Sequence, residues 1–100
     1  MVFVFDAELW IWDARRSESW TFVSLPPEAG EEIRDLAGGA PRGFGAVRVR
    51  ATIGGTTWLT SIFPDSVRGT YVLPVKRAVR KAEALDAGDT TAVTVEILSP

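Results

Sequence analysis

Apolar residues recur at every second position over most of this chain, and at every third or fourth position in only two short stretches. From Val2 to Trp12, Phe3, Phe5, Ala7, Leu9 and Ile11 alternate with Val2, Val4, Asp6, Glu8, Trp10 and Trp12, which predicts one long strand with the first set facing inward. The polar stretch Asp13–Ser19 then leads into a second β-prone run, Trp20–Leu25, as in a hairpin with a longer loop. Pro26-Pro27 stops that strand, because neither residue can donate to a ladder. Glu28, Glu31 and Glu32 crowd the start of the first helical stretch, and Ala29, Ile33, Leu36 and Ala37 give it an apolar face that ends at Gly38. Gly38–Phe44, which contains Arg42, is a loop by composition.

The clearest long-range signal lies between Phe44 and Phe63. If Gly54-Gly55 is a two-residue turn, Ile53 faces Thr56, Ala51 faces Trp58, Val49 faces Thr60 and Val47 faces Ile62. Val47, Val49, Ile53, Trp58 and Ile62 then share one face, while Arg48 and Arg50 take the other beside Ser61 and Leu59. Pro64-Asp65 ends the strand, and Thr70–Leu73 makes a short one after the turn at Gly69. From Val75 the period becomes helical, with Val75, Ala78, Val79, Ala82 and Leu85 on one side and Pro74 near the start. Gly88-Asp89 turns the chain into a last strand whose Thr91, Val93, Val95 and Ile97 face one way. The order β-β-α-β-β-β-α-β predicts a mainly β fold: one domain over residues 1–100, a small closed or nearly closed barrel of about six strands capped by two short helices.

Composition narrows the chemistry. With 100 residues, no cysteine and no histidine, the chain lacks disulfides, thiolate nucleophiles and the usual general base near neutral pH. No cofactor motif is present, no Asp-x-Asp-x-Asp-Gly loop suggests a metal, and the N-terminal run is too short and too acidic for a signal peptide or membrane span. A cytoplasmic, soluble protein is the expectation. The net charge of −2 hides an uneven spread: residues 42–81 hold eight bases against one acid, between two acidic flanks.

Several short motifs follow one another along nearly the whole chain: Phe3-x-Phe5, Trp20-Thr-Phe-Val-x-Leu25-Pro26, Gly43-x-Gly45-x-Val47, Ile53-Gly-Gly-x-x-Trp58-x-Thr60-Ser61, Tyr71-x-Leu73-Pro74-Val75-Lys76, Val79-Arg80-Lys81-Ala82 and Gly88-Asp89. In this order they resemble the family called domain of unknown function 1905 (DUF1905). The resemblance implies a small capped β-barrel of the double-split type and no established biochemical activity, so no catalytic residue can be carried over. Glu83-Ala84-Leu85 departs from it, standing where family members tend to be richer in glycine, and Trp10 and Trp12 add aromatics to the first strand. Residues 73–89 are also similar to the swapped-hairpin transcription-factor and antitoxin domains, dimers that bind DNA.

Two sets of residues are candidates for binding. Arg48 and Arg50 fall on one strand face, and Lys76 with Arg80 and Arg77 with Lys81 are i, i+4 pairs on the second helix, so each element can present a line of cations to an anion. Trp10, Trp12, Trp58 and Tyr71 offer rings for stacking. Asp6, Glu8 and Lys76 are the only carriers an enzymatic reading has, and Ser61 lacks any histidine to activate it. The residues point to a non-enzymatic binding module for an anionic small molecule or a protein partner, a monomer or weak dimer. The alternative is a DNA-binding regulator acting through the second helix.

Overall fold

A computed structural model describes residues 1–15, 18–36 and 45–99. Its elements are β1 (Val2–Glu8), β2 (Trp10–Arg15), β3 (Glu18–Ser24), α1 (Pro27–Leu36), β4 (Val47–Ile53), β5 (Thr56–Asp65), β6 (Thr70–Pro74), α2 (Arg77–Ala82) and β7 (Thr90–Ser99). The strands form one antiparallel sheet in the order β1-β7-β4-β5-β6-β3-β2, curled strongly into a half-barrel with the two helices against it. The mainly β reading therefore holds, with one strand more than expected. Among the described residues, no helix is long and apolar enough to cross a membrane.

The extra strand comes from a break at Leu9. The stretch from Val2 to Trp12 is two strands at opposite edges of the sheet: β1 pairs with β7 and β2 pairs with β3. Leu9 is wholly buried, its N–H donates to the Asp89 carbonyl at 2.9 Å, and its own carbonyl accepts from Gly88 N–H at 2.8 Å. The turn before β7 thus holds the chain where it passes from one edge to the other. Periodicity alone cannot show such a break, because alternation continues through it. Phe3, Phe5 and Ala7 pack against the core as expected, but Ile11 lies on an edge strand and is half exposed.

The hairpin of β4 and β5 has the expected register at every pair, from Ile53 opposite Thr56 to Val47 opposite Ile62. Its inward residues are buried and Arg48 and Arg50 lie outside. Strand β5 ends at Pro64-Asp65, as expected, but changes partners before it does, pairing with β4 over Thr56–Ile62 and with β6 over Phe63–Asp65. This change of partners bends the sheet. In β6, Thr70 to Leu73 are all buried: Tyr71 and Leu73 belong to the core, and Thr70 lies against Gly30 of α1. The close approach of α1 depends on Gly30: a Cβ there would stand 2.6 Å from Thr70 Oγ1, whose hydroxyl donates to the Leu25 carbonyl at 2.9 Å.

Both helices are narrower in their packing than the sequence suggests. In α1, Ala29, Gly30 and Ile33 are buried while Leu36 is exposed; Ala37 and the Gly38–Phe44 loop lie outside the described residues. The second helix covers six residues, Arg77–Ala82, and not Val75–Leu85. Val75 and Val79 are buried and Leu85 packs partly on the core, but Ala78 and Ala82 are exposed. The helix ends in paired bonds, Leu85 N–H to the Arg80 carbonyl at 2.8 Å and Ala84 N–H to the Lys81 carbonyl at 3.4 Å, with Ala84 in the left-handed region at φ 55°.

Candidate functional site

The site begins with a missing ladder rung. The β5–β6 pairing sets Phe63 opposite Val72 and Asp65 opposite Thr70, and carrying that register two residues further sets Ser61 opposite Pro74. Proline has no N–H, so the bond Ser61 would accept there cannot form. The ladder stops at Phe63, and β6 continues with β3 alone: Pro74 lies opposite Phe22, and Val75 N–H donates to the Thr21 carbonyl at 2.8 Å. The result is a seam between the first half of β5 and the segment that runs from β6 into α2.

Helix α2 lies along this seam, held at both ends. Val75 ties its beginning to β3, and Glu83 at its end accepts a 2.6 Å hydrogen bond from the Thr56 hydroxyl at the start of β5. Between these anchors is a half-open cavity of about 700 Å³, lined by Trp20, Thr21, Trp58, Leu59, Thr60, Pro74, Val75, Lys76, Arg77 and Arg80. Trp58 is buried and supplies an apolar wall. Arg80 is half buried, and its Nε donates to the Val75 carbonyl at 3.1 Å, which fixes the guanidinium against the helix start. Lys76 and Arg77 are exposed. No acidic side chain lines the cavity among the described residues.

The structure therefore brings together Trp58, Lys76, Arg77 and Arg80 and leaves the other candidates elsewhere. Arg50 is paired with Glu96 at 2.6 Å on the outer face of β4 and β7, and Arg48 lies on the same outer face of β4. Lys81 borders a second, shallower depression shared with Arg77, Arg80 and Asp86. Tyr71 is a core residue, 4% exposed. Trp10 and Trp12 sit on β2, opposite Phe22 and Trp20, so they do not form one strand face with Asp6 and Glu8, which sit on β1 opposite Ala92 and Thr90.

Those tryptophans join a row of aromatics on the outer face. Phe22 lies 5.2 Å from Trp10 and 6.3 Å from Trp20, centroid to centroid, and the Trp10 indole N–H donates to the Ser24 hydroxyl at 3.0 Å. The Arg68 guanidinium lies over the Trp10 ring, 3.9 Å from its centroid. Arg68 also binds Asp65 at 2.9 Å. Burial acts to raise the Asp65 pKa, but the Arg68 side chain, the Arg68 and Val67 N–H groups and the Arg68 charge outweigh it and hold the carboxyl below its ordinary value.

Sequence reasoning missed Trp20, Thr21 and Leu59 as walls of the cavity. The signal available for the seam was Pro74, but reading it requires knowing that β6 lies beside β5 in the register given above. Among the described residues, no group of three or more acidic side chains is placed to hold a metal ion.

Comparison with curated proteins finds no match. The model of a family described as a domain of unknown function (DUF1905) matches residues 5–95, a span that takes in most of the curled sheet, both helices and the seam between β5 and α2, and the chain belongs to that family.

Proposed function

We propose that this domain is a binding module with no chemistry of its own, which takes an anionic small molecule, or the anionic group of a protein partner, in the seam between β5 and α2. The observation that carries this reading is the meeting of Lys76, Arg77 and Arg80 in one cavity beside Trp58, with no acid among the described lining residues. Two cations elsewhere are paired with acids: Arg50 with Glu96 and Arg68 with Asp65. A half-enclosed site also strengthens each charge-assisted hydrogen bond relative to open water.

Titration with 1-naphthyl phosphate, an aromatic anion, followed by tryptophan fluorescence, tests the reading. Lys76→Glu and Arg77→Glu should each weaken binding on the order of tenfold and leave the melting temperature nearly unchanged, since both side chains are exposed. Arg48→Glu, outside the cavity, is the control and should bind as the parent does. Equal affinity in all four proteins would remove the seam from consideration. The alternative of a DNA-binding regulator uses the same cations, but α2 offers under two turns to a groove. A DNA shift that weakens steeply with salt would favour it.

A further inference from the structure

The backbone along the seam carries more information than the side chains. In a hairpin with a two-residue turn, the closing pair exchanges both of its hydrogen bonds, so Ile53 with Thr56, Ala51 with Trp58 and Val49 with Thr60 are the bonded pairs of β4 and β5. Thr57, Leu59 and Ser61 therefore aim their N–H and C=O groups the other way, at the seam. Pro64 checks this parity independently. Lacking an N–H, it sits opposite Tyr71 at a non-bonded position, while Phe63 and Asp65 carry the ladder to β6. Among the described residues, no backbone partner meets Thr57 or Leu59 on that side.

An unpaired strand edge is a template for another strand, and proteins commonly guard such edges with charge, proline or a covering element. Here Pro74 keeps β6 from closing the edge, and α2 lines the seam with three cations without supplying backbone partners. A row of free peptide groups beside Trp58 and a cationic cluster is the arrangement that binds an extended chain by strand addition.

We propose that the seam receives an extended peptide segment that pairs with the free edge of β5 at Thr57 and Leu59, sets an apolar side chain against Trp58, and lays a carboxylate against Lys76, Arg77 and Arg80. This rests on the reading of the seam as an anion site and specifies its occupant as an acidic protein segment. Main-chain bonds supply affinity with little dependence on sequence, the Trp58 wall selects an apolar residue at alternate positions, and the cations select the acid.

The test uses the full chain, isotopically labelled, with the hexapeptide acetyl-Val-Thr-Val-Thr-Val-Glu bearing a free C-terminal carboxylate. A second peptide of the same sequence is N-methylated at alternate residues, so that it cannot complete a ladder. Amide hydrogen exchange is read at Thr57 and Leu59. Both should exchange rapidly in the free protein and slow on the order of tenfold or more with the first peptide. They should slow much less with the N-methylated peptide, or with the first peptide and the Lys76→Glu, Arg77→Glu double variant. Protection of both amides before any peptide is added would overturn the proposal, since the edge would then be occupied already. Equal binding of the two peptides would also overturn it. If 1-naphthyl phosphate binds and the peptide gives no protection, strand addition fails while the anion site stands. If neither binds, both readings fall.

Discussion

The Thr56 hydroxyl donates a 2.6 Å hydrogen bond to Oε2 of Glu83, so the first residue of β5 holds the residue that ends α2. The same carboxylate occupies the space above Gly54, where a Cβ would stand 1.9 Å from Glu83 Oε1, on a backbone already at φ +57°. Turn geometry and helix position are thus coupled through one side chain. Glu83→Ala should cost about 1.5 kcal/mol, the low end for a hydrogen bond to a charged group, because the pair is only partly buried. Gly54→Ala should cost more, since it adds a clash to a left-handed backbone. In the double variant the clash disappears and the strain remains, so the double should be more stable than the sum of the singles predicts. Urea denaturation of the four proteins measures this; strict additivity would show that the two residues do not interact.

Ala84 ends α2 in the left-handed region, φ 55°, at a position where glycine is the common residue. A Cβ in that conformation costs roughly 1–2 kcal/mol, and glycine's extra freedom in the unfolded chain returns about 0.5–1 kcal/mol of that. Ala84→Gly should therefore stabilise the domain by about 0.5–1 kcal/mol, read as a higher denaturation midpoint with an unchanged slope. Loss of stability would mean that the Ala84 methyl makes contacts that outweigh its strain.

How far the sequence could be read depended on the range of the signal. The β4–β5 register was legible because a turn between two alternating runs fixes every pair after it, and Ile53 to Thr56 determines Val47 to Ile62. The break at Leu9 was not, because the bonds that hold it come from Gly88 and Asp89, far along the chain. The second helix was overextended because Ala78 and Ala82 continue the apolar period without being covered, and the chain turns at Glu83 where it meets Thr56. Of the candidate site, Lys76, Arg77, Arg80 and Trp58 were named from residue type. Their meeting depends on which strands are neighbours, and so does the separation of Arg48, Arg50, Trp10 and Trp12 from them.

Asp65 makes stability depend on pH in a definite direction. Its carboxylate accepts from Val67 N–H at 3.1 Å, Arg68 N–H at 3.3 Å and the Arg68 guanidinium at 2.9 Å, and its folded pKa lies below the ordinary value of 3.8. A depressed carboxyl pKa contributes stability that is fully present above the unfolded pKa and is lost as pH falls through the folded one. Asp65→Asn should therefore be less stable than the parent at neutral pH, with the gap closing as pH falls below 3.8 and the parent's carboxylate is protonated. Denaturation midpoints across this range provide the measurement. A gap that persisted at the acid end would assign the effect to packing around Arg68 and Trp10 and not to the charge.

Pro74 is the residue on which the seam depends, because it stands where β6 would donate to Ser61. Pro74→Thr restores the missing N–H on a residue suited to strands. One net hydrogen bond is worth about 0.5–1.5 kcal/mol, and losing proline's restraint on the unfolded chain costs about 0.4–1 kcal/mol, so overall stability should change little. Local behaviour should change a great deal. The new amide at position 74 should become protected from exchange as the β5–β6 ladder extends, and the affinity for 1-naphthyl phosphate should fall as the walls at Leu59 and Val75 draw together. If position 74 stays unprotected, the splay of the two strands is set by the anchoring of Val75 to Thr21, and the seam would stay open with any residue at that position. Protection at position 74 with unchanged anion affinity would place the binding site outside the seam.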